Sequence, residues 1–424
     1  MTEELLSLPV PHVPADDHGV AWLRASVVRF SNGAEHARRR ALTTKLIENV
    51  NATTLDELAT ALDLPGSLGD IALIAPSYQP HEPITAEADA AVERLAHRHD
   101  EETAARIGLL VQAWSATHAL AEHLRTGNPA PPVPITRRAT EDGVIEVSLA
   151  AHPFGHGPHV CPGRKLATRI AKNMAFRAMH HQDEPLILPN AWDYASAVAL
   201  HAAGFRAIGT TSLGVCAANG IVDGTGLAGR ETVALARKLS GLPCPVTVDL
   251  ESGFGAAPDE VAELVAGLGI AGVNLEDGRP HGLVTPEEQA PLISAVKERA
   301  PGVFLNVRID THWRGIALAE TEERAKRYVA AGADGIFVPG LTEPRDIEAL
   351  ASLAPLNVLA GQRTPAELRD LGVKRISTGS LLFRAALQHT VATAKAVRDG
   401  GVPQAFSYAE VQELISPGTR SDAG

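Results

Sequence analysis

Asp249, Glu251, Glu276 and Arg308 each stand at the end of a short apolar run: PVTVDLE, GVNLED and VFLNVRID. Three carboxylates and one guanidinium suggest a divalent cation and an anionic substrate. Carboxylates and water are the ligands Mg²⁺ or Mn²⁺ prefers, and arginine grips a carboxylate or phosphate through two parallel hydrogen bonds. The plainer reading makes Asp249 and Glu251 a solvated strand end and Arg308 a structural ion-pair partner. A second set lies in FGHGPHVCPGRKLA, residues 154–167, around Cys161. A reactive thiolate needs neighbours that hold it unprotonated, and Gly155, Gly157 and Gly163 permit a tight turn about it. Cys216 and Cys244 read as small core residues without a role.

Elements must place these groups. From Leu186 onward, short apolar strands alternate with helices: LILPNAWD, RAIGTTS, PVTVDLE, GVNLED, VFLNVRID, GIFVPGL, LNVLAG and KRISTGS are the strands. Eight such repeats predict an α/β fold, a (β/α)8 barrel. A doubly wound sheet would call for a GxGxxG turn after its first strand, which is missing. Barrel chemistry gathers at the C-terminal ends of strands. That places Asn190, Asp193, Thr211, Ser212, Asp249, Glu251, Glu276, Asp277, Arg308, Asp310, Pro339, Asn357 and Ser377 together. The first half instead reads as mostly α-helical, with helix-spaced apolar residues through ITAEADAAVERLAHRHDEETAARIGLLVQAWSATHALAEHLRTG, broken at NPAPPVP. The expected division is a helical domain over 1–172 and a barrel with a C-terminal helix over 173–424.

Composition bounds the partners. The 424 residues are 45% hydrophobic and 21% charged, as in ordinary globular chains. A formal charge of −12 argues against nucleic acid. Three cysteines build no disulfide framework, and no run is long and apolar enough to span a bilayer. The N-terminus, MTEELLSLPVPHVPADD, does not read as a signal peptide. A soluble cytoplasmic protein without a membrane partner is expected.

In the second half LPNAWD, TTSLGV, VTVDLESGFG, GVNLEDG, NVRID and ADGIFVPG together resemble the phosphoenolpyruvate mutase/isocitrate lyase superfamily. The resemblance implies that Asp249 and Glu251 hold Mg²⁺, with Glu276 in its outer shell, and that Arg308 binds the reacting substrate. It implies that Thr211, Ser212 and Gly214 form the turn that holds a substrate carboxylate, and that Asp223 is the aspartate after it. Asn357 joins the substrate-binding set. The cysteine-bearing gating loop of the lyases is replaced by EDGRPHGLVTPEE, and the lysine- and asparagine-containing loop of the mutases is missing. His281, in this short loop, is placed to move a proton, unless it is only a surface histidine. The implied activity is a Mg-dependent lyase that cleaves a carbon–carbon bond of a small 2-oxo or 2-hydroxy di- or tricarboxylate through a metal-stabilised enolate. A phosphorus–carbon enzyme is the alternative. Members of this superfamily assemble as dimers or tetramers, so a homo-oligomer is expected.

In the first half, Phe-Gly-x-Gly-x-His-x-Cys-x-Gly-x-x-Leu-Ala resembles the haem-binding loop of cytochrome P-450 enzymes. The resemblance implies that Cys161 is an axial thiolate on haem b, with His159, His36, Arg40 and Arg138 at the propionates and Thr117 at the oxygen-handling position. NGAEHARRR, LLVQAWSATHAL and PPVPITRRATEDGVIEV carry the last four in family order. The half is strongly shortened and lacks the Glu-x-x-Arg motif between the distal helix and the cysteine loop. Haem or ligand sensing without oxygenase activity is therefore a third expectation.

Overall fold

The computed structural model describes residues 2–14, 16–361 and 363–416, and contacts divide them into two units, one ending at Met174 and the other starting at Ala175. In the second unit Pro189 interrupts the first strand, β1, leaving Leu186–Leu188 on one side and Asn190–Ala191 on the other. Then follow β2 (Ile208–Thr210), β3 (Val246–Asp249), β4 (Gly272–Glu276), β5 (Phe304–Arg308), β6 (Gly335–Phe337), β7 (Leu356–Leu359) and β8 (Arg375–Ser377). All neighbours pair in parallel. The first piece of β1 pairs with β8 and the second with β2, so the sheet closes into the expected barrel.

Alternation along each strand sorts the side chains. Val248, Val273, Leu275, Leu305 and Val307 pack with Leu239, Val261, Val265, Ile293 and Val296 of the surrounding helices. The alternate residues, Thr247, Asn274, Asn306, Asn357 and Arg375, are polar yet buried. Asn306 Nδ2 donates to Asn274 Oδ1 at 2.9 Å, and Arg375 Nη2 reaches the same oxygen at 3.4 Å. The barrel interior is therefore a polar column. The C-terminal helix Tyr408–Ile415 lies along Tyr194–Ala202 of the same barrel, with Leu414 on its apolar core.

The first unit is a helical bundle with one hairpin, Ile135–Thr140 against Gly143–Ser148. The long helical stretch read from the sequence is two helices, Ala86–Leu95 and Glu101–Thr126. Asp100 starts the second by accepting the Thr103 N–H at 2.8 Å, a cap that a continuous pattern hides. Trp22, Leu23, Leu58, Ile74, Ile107 and Leu110 form its core. Among the described residues no helix is long and apolar enough to cross a membrane.

Candidate active site

The C-terminal ends of β3, β4 and β5 carry Asp249, Glu276 and Arg308, and register places Arg308 beside Glu276. Arg308 Nη1 stands 2.9 Å from Glu276 Oε2, and its Nε 2.6 Å from Asp310 Oδ1. Asp249, Glu276 and Asp310 are all buried. Asp249 accepts the Glu251 N–H at 3.2 Å and bonds the Ser212 side chain. Glu251 turns back in a left-handed conformation, φ +50°, uncommon for a residue with a side chain. Its Oε2 accepts the Gly226 N–H at 3.0 Å, and Oε1 lies 3.8 Å from Cys216 Sγ.

Excess negative charge defines the electrostatics. Burial, then the charges of Asp310, Asp249 and Glu251, push Glu276 up to about 8 against the pull of Arg308. Burial likewise raises Asp249, opposed by Arg308 and abetted by Asp223. Glu251 is raised by burial, with Asp249 and Asp223 adding. For Arg308, burial alone would lower the guanidinium pKa, but Glu276, Asp310 and Asp249 together raise it. Arg308 thus faces several carboxylates at once, an arrangement that a dication relieves. The surplus donors are carboxylate oxygens, which fit a hard ion such as Mg²⁺.

The other residues singled out in the sequence fall as follows. Thr211 and Gly214 are buried where the helix Ser212–Ala218 begins. A Cβ on Gly214 would stand 2.7 Å from Trp192 Cβ, so the turn closes only on glycine. Asp223, exposed in its loop, brings its carboxylate to Cys216 and Glu251, the three ligand atoms lying within 4.8 Å of one another. Asn357 is fully buried, its Oδ1 accepting from Ser377 at 3.0 Å and its Nδ2 without a partner among the described residues. His281 is exposed at the turn of the small hairpin Gly278–Arg279/Gly282–Leu283, and no described hydrogen bond or ion pair joins it to the carboxylates.

Two features escaped the sequence reading. Cys216, taken as a core residue, touches Glu251; nothing in its local sequence signals this. Asp277 is a buried hub: it accepts the Asp310 N–H at 2.9 Å, the Tyr328 hydroxyl at 2.9 Å and Arg324 Nη1 at 3.0 Å. The four-residue spacing of Arg324 and Tyr328 in ETEERAKRY was the available clue, since it puts both on one helix face.

In the first unit the cysteine loop is tightly turned. Cys161 N–H donates to Phe154 O and Gly155 N–H to His152 O, both at 2.8 Å. The His36 and His159 rings lie 4.3 Å apart, and the Arg40 guanidinium donates to Val160 O. Burial first, then His36, Arg138 and Arg40, hold His159 down at about 4. Burial raises the Cys161 thiol, while the Gly163 N–H and Arg40 pull it down. His36, Arg40 and Arg138 thus gather about His159, and Arg40 also acts on Cys161. Thr117 is fully buried, and no described contact ties it to them.

Residues 176–398 match the phosphoenolpyruvate phosphomutase family. The chain belongs to that family. An uncharacterized protein of Mycobacterium tuberculosis is 44% identical over 248 residues, spanning 57% of this chain and 96% of the relative. The 2-methylisocitrate lyase of Halalkalibacterium halodurans is 26% identical over 261 residues, 59% of this chain and 83% of the enzyme. Phosphonopyruvate hydrolase, solved with oxalate and Mg²⁺, shares the fold at 24% identity with a TM-score of 0.52, over 57% of this chain and 94% of its own. The family relatives are enzymes. The matched region is the barrel, and the family match leaves the helical first unit outside it.

Proposed function

We propose that the barrel is a divalent-metal-dependent lyase that breaks a carbon–carbon bond of a small 2-oxo or 2-hydroxy di- or tricarboxylate. The observation that carries this is the set of buried carboxylates sharing Arg308 at the barrel mouth. The 2-methylisocitrate lyase relative and the Mg²⁺ and oxalate bound by phosphonopyruvate hydrolase support the reaction class and the cofactor. Asp249 and Glu251 would hold Mg²⁺ or Mn²⁺, with Glu276 beyond them, and the ion would supply Lewis acidity toward a 2-oxo carbonyl. Arg308 grips the anionic end of the substrate with its planar fork. Thr211, Ser212 and Gly214 orient a carboxylate at the start of their helix, Asn357 offers its unpartnered Nδ2, and Asp223 joins Glu251. His281, exposed at the turn of the hairpin after β4, moves the proton. On the same reading the protein is a cytoplasmic homo-oligomer, a dimer or tetramer, which light scattering checks.

Purified protein with Mg²⁺ and a panel of 2-oxo and 2-hydroxy acids tests the reading, followed by pyruvate or glyoxylate release. Turnover of one member supports it; metal binding without turnover of any overturns it. Phosphorus NMR on phosphoenolpyruvate and phosphonopyruvate detects the alternative, cleavage or transfer at a phosphorus–carbon bond.

For the first unit we infer haem-thiolate binding without oxygenase activity as a second reading. The gathering of His36, Arg40 and Arg138 about His159, with Arg40 also close enough to Cys161 to pull its thiol down, favours it. Cys161 would hold the iron through its sulfur, and His36, Arg40, Arg138 and His159 would pair with the group's carboxylates. A Soret band at the thiolate position after reduction with CO supports this, and a colourless protein expressed with ample haem overturns it.

A further inference from the structure

Away from the barrel, Glu3, His152 and His156 point their ligand atoms at one another. His152 Nε2 lies 3.5 Å and His156 Nδ1 3.8 Å from the same oxygen, Glu3 Oε1. The three ligand atoms all fall within 4.8 Å of one another, and the two imidazole rings are 5.2 Å apart. Zinc holds nitrogen and oxygen ligands at about 2.0–2.2 Å, which makes the edge of its tetrahedron about 3.4 Å. Two of the observed separations exceed that edge by only a few tenths of an ångström. Small side-chain rotations would close the shell and leave a fourth position to solvent.

The backbone under these side chains is fixed from both sides. Glu3 lies on the helix Thr2–Leu6, whose Leu6 is fully buried against Val147 and Leu149. Arg138 Nε donates to Leu6 O at 3.0 Å, and Ala139 N–H to Pro9 O at 2.8 Å. On the other side the turn from His152 to Gly155 is closed by its own hydrogen bond. At Gly157, φ +65°, an added Cβ would stand 2.8 Å from Ser7 Oγ, so the two segments are in close approach.

We propose that Glu3, His152 and His156 bind a zinc-class divalent ion that clips the N-terminal helix to the cysteine loop. Two imidazoles and one carboxylate select borderline d-block ions, whereas the oxygen donors of the barrel suit Mg²⁺. The clip joins residues far apart in the chain, so it constrains the unfolded ensemble as a long-range crosslink does.

The test is Zn²⁺ titration of the full-length protein in saturating Mg²⁺, with Cu²⁺ electron paramagnetic resonance as a second readout. One Zn²⁺ per chain is expected, raising the unfolding temperature, with binding weakened roughly tenfold or more in E3Q, H152N and H156N. The Cu²⁺ spectrum should show coupling to two nitrogens, reduced to one in either histidine variant. Zinc affinity unchanged in the H152N/H156N double variant overturns the proposal, as does a copper spectrum without two-nitrogen coupling in the unaltered protein. The Asp249→Ala/Glu251→Ala background, titrated in parallel, separates any zinc taken up by the barrel, since Glu251 is shared with Cys216 and Asp223.

Discussion

Arg308 and Glu276 sit opposite each other on β5 and β4, their guanidinium and carboxylate 2.9 Å apart. The same guanidinium holds Asp310 at 2.6 Å. A single buried cation therefore keeps two carboxylates in place, and any anion that draws on it must compete with both.

Arg308→Met should leave Glu276 and Asp310 buried without their cation. Metal-free stability should fall by about 3–5 kcal/mol and turnover by at least about a hundredfold. Arg308→Lys keeps the charge and loses the fork, so most of the stability should return while turnover stays low. Urea unfolding and steady-state rates separate the two effects. Unaltered turnover in both variants would remove Arg308 from the chemistry.

Asp249→Asn should weaken Mg²⁺ binding while making the metal-free protein more stable, on the order of 1 kcal/mol, because it relieves a crowded set of carboxylates. Mg²⁺ should raise the melting temperature of the unaltered protein by mass action and leave that of the variant where it was. An equal Mg²⁺-induced shift in both would place the ion elsewhere.

His180 gives a pH prediction for the barrel. Its ring is stacked on Phe304 at 3.9 Å, its Nδ1 bonds Phe176 O at 2.7 Å, and it is almost wholly buried. Burial, then the charge of Arg375, holds the imidazole well below its usual range. The folded imidazole stays neutral, whereas the unfolded one takes up a proton below about pH 6.5. The stability this group contributes is therefore full above that pH and is lost as pH falls. Relative to His180→Phe, the unaltered protein should lose about 2 kcal/mol between pH 6.5 and 5. A pH-independent difference would mean that His180 charges freely in the fold.

Asp277→Ala should be the most destabilising change near the site that touches no substrate. It strips partners from buried Arg324 and Tyr328, at a cost of about 3–5 kcal/mol. Tyr328→Phe removes one hydrogen bond and should cost about 1–2 kcal/mol. Chemical unfolding reads both directly; equal, small losses would mean that Asp310 is held by other means.

The rhythm of short apolar runs alternating with helices was enough to place Asp249, Glu276 and Arg308 at adjacent strand ends. Strands buried on both faces are legible as such runs because helices cover the outside of a parallel barrel. The four-residue spacing of Arg324 and Tyr328 puts them on one helix face, but nothing local names Asp277, on a distant strand end, as the group they share. The same holds for the Cys216 contact with Glu251. For the cysteine loop, spacing indicated a tight turn about Cys161, whereas the gathering of His36, Arg40 and Arg138 depends on long-range packing.

The break at Pro189 has a bearing on how this chain is made. The two pieces of β1 look in opposite directions for partners, one to β2 close by and one to β8 almost two hundred residues downstream. During synthesis from the N-terminus, the piece before the proline must wait, unpaired, until nearly the whole barrel has left the ribosome. Until then a growing parallel sheet presents an open edge, the kind of surface that invites pairing with other chains. Closure at this seam is thus the late, slow step in biogenesis, and the interval before it is when the nascent protein most depends on being shielded.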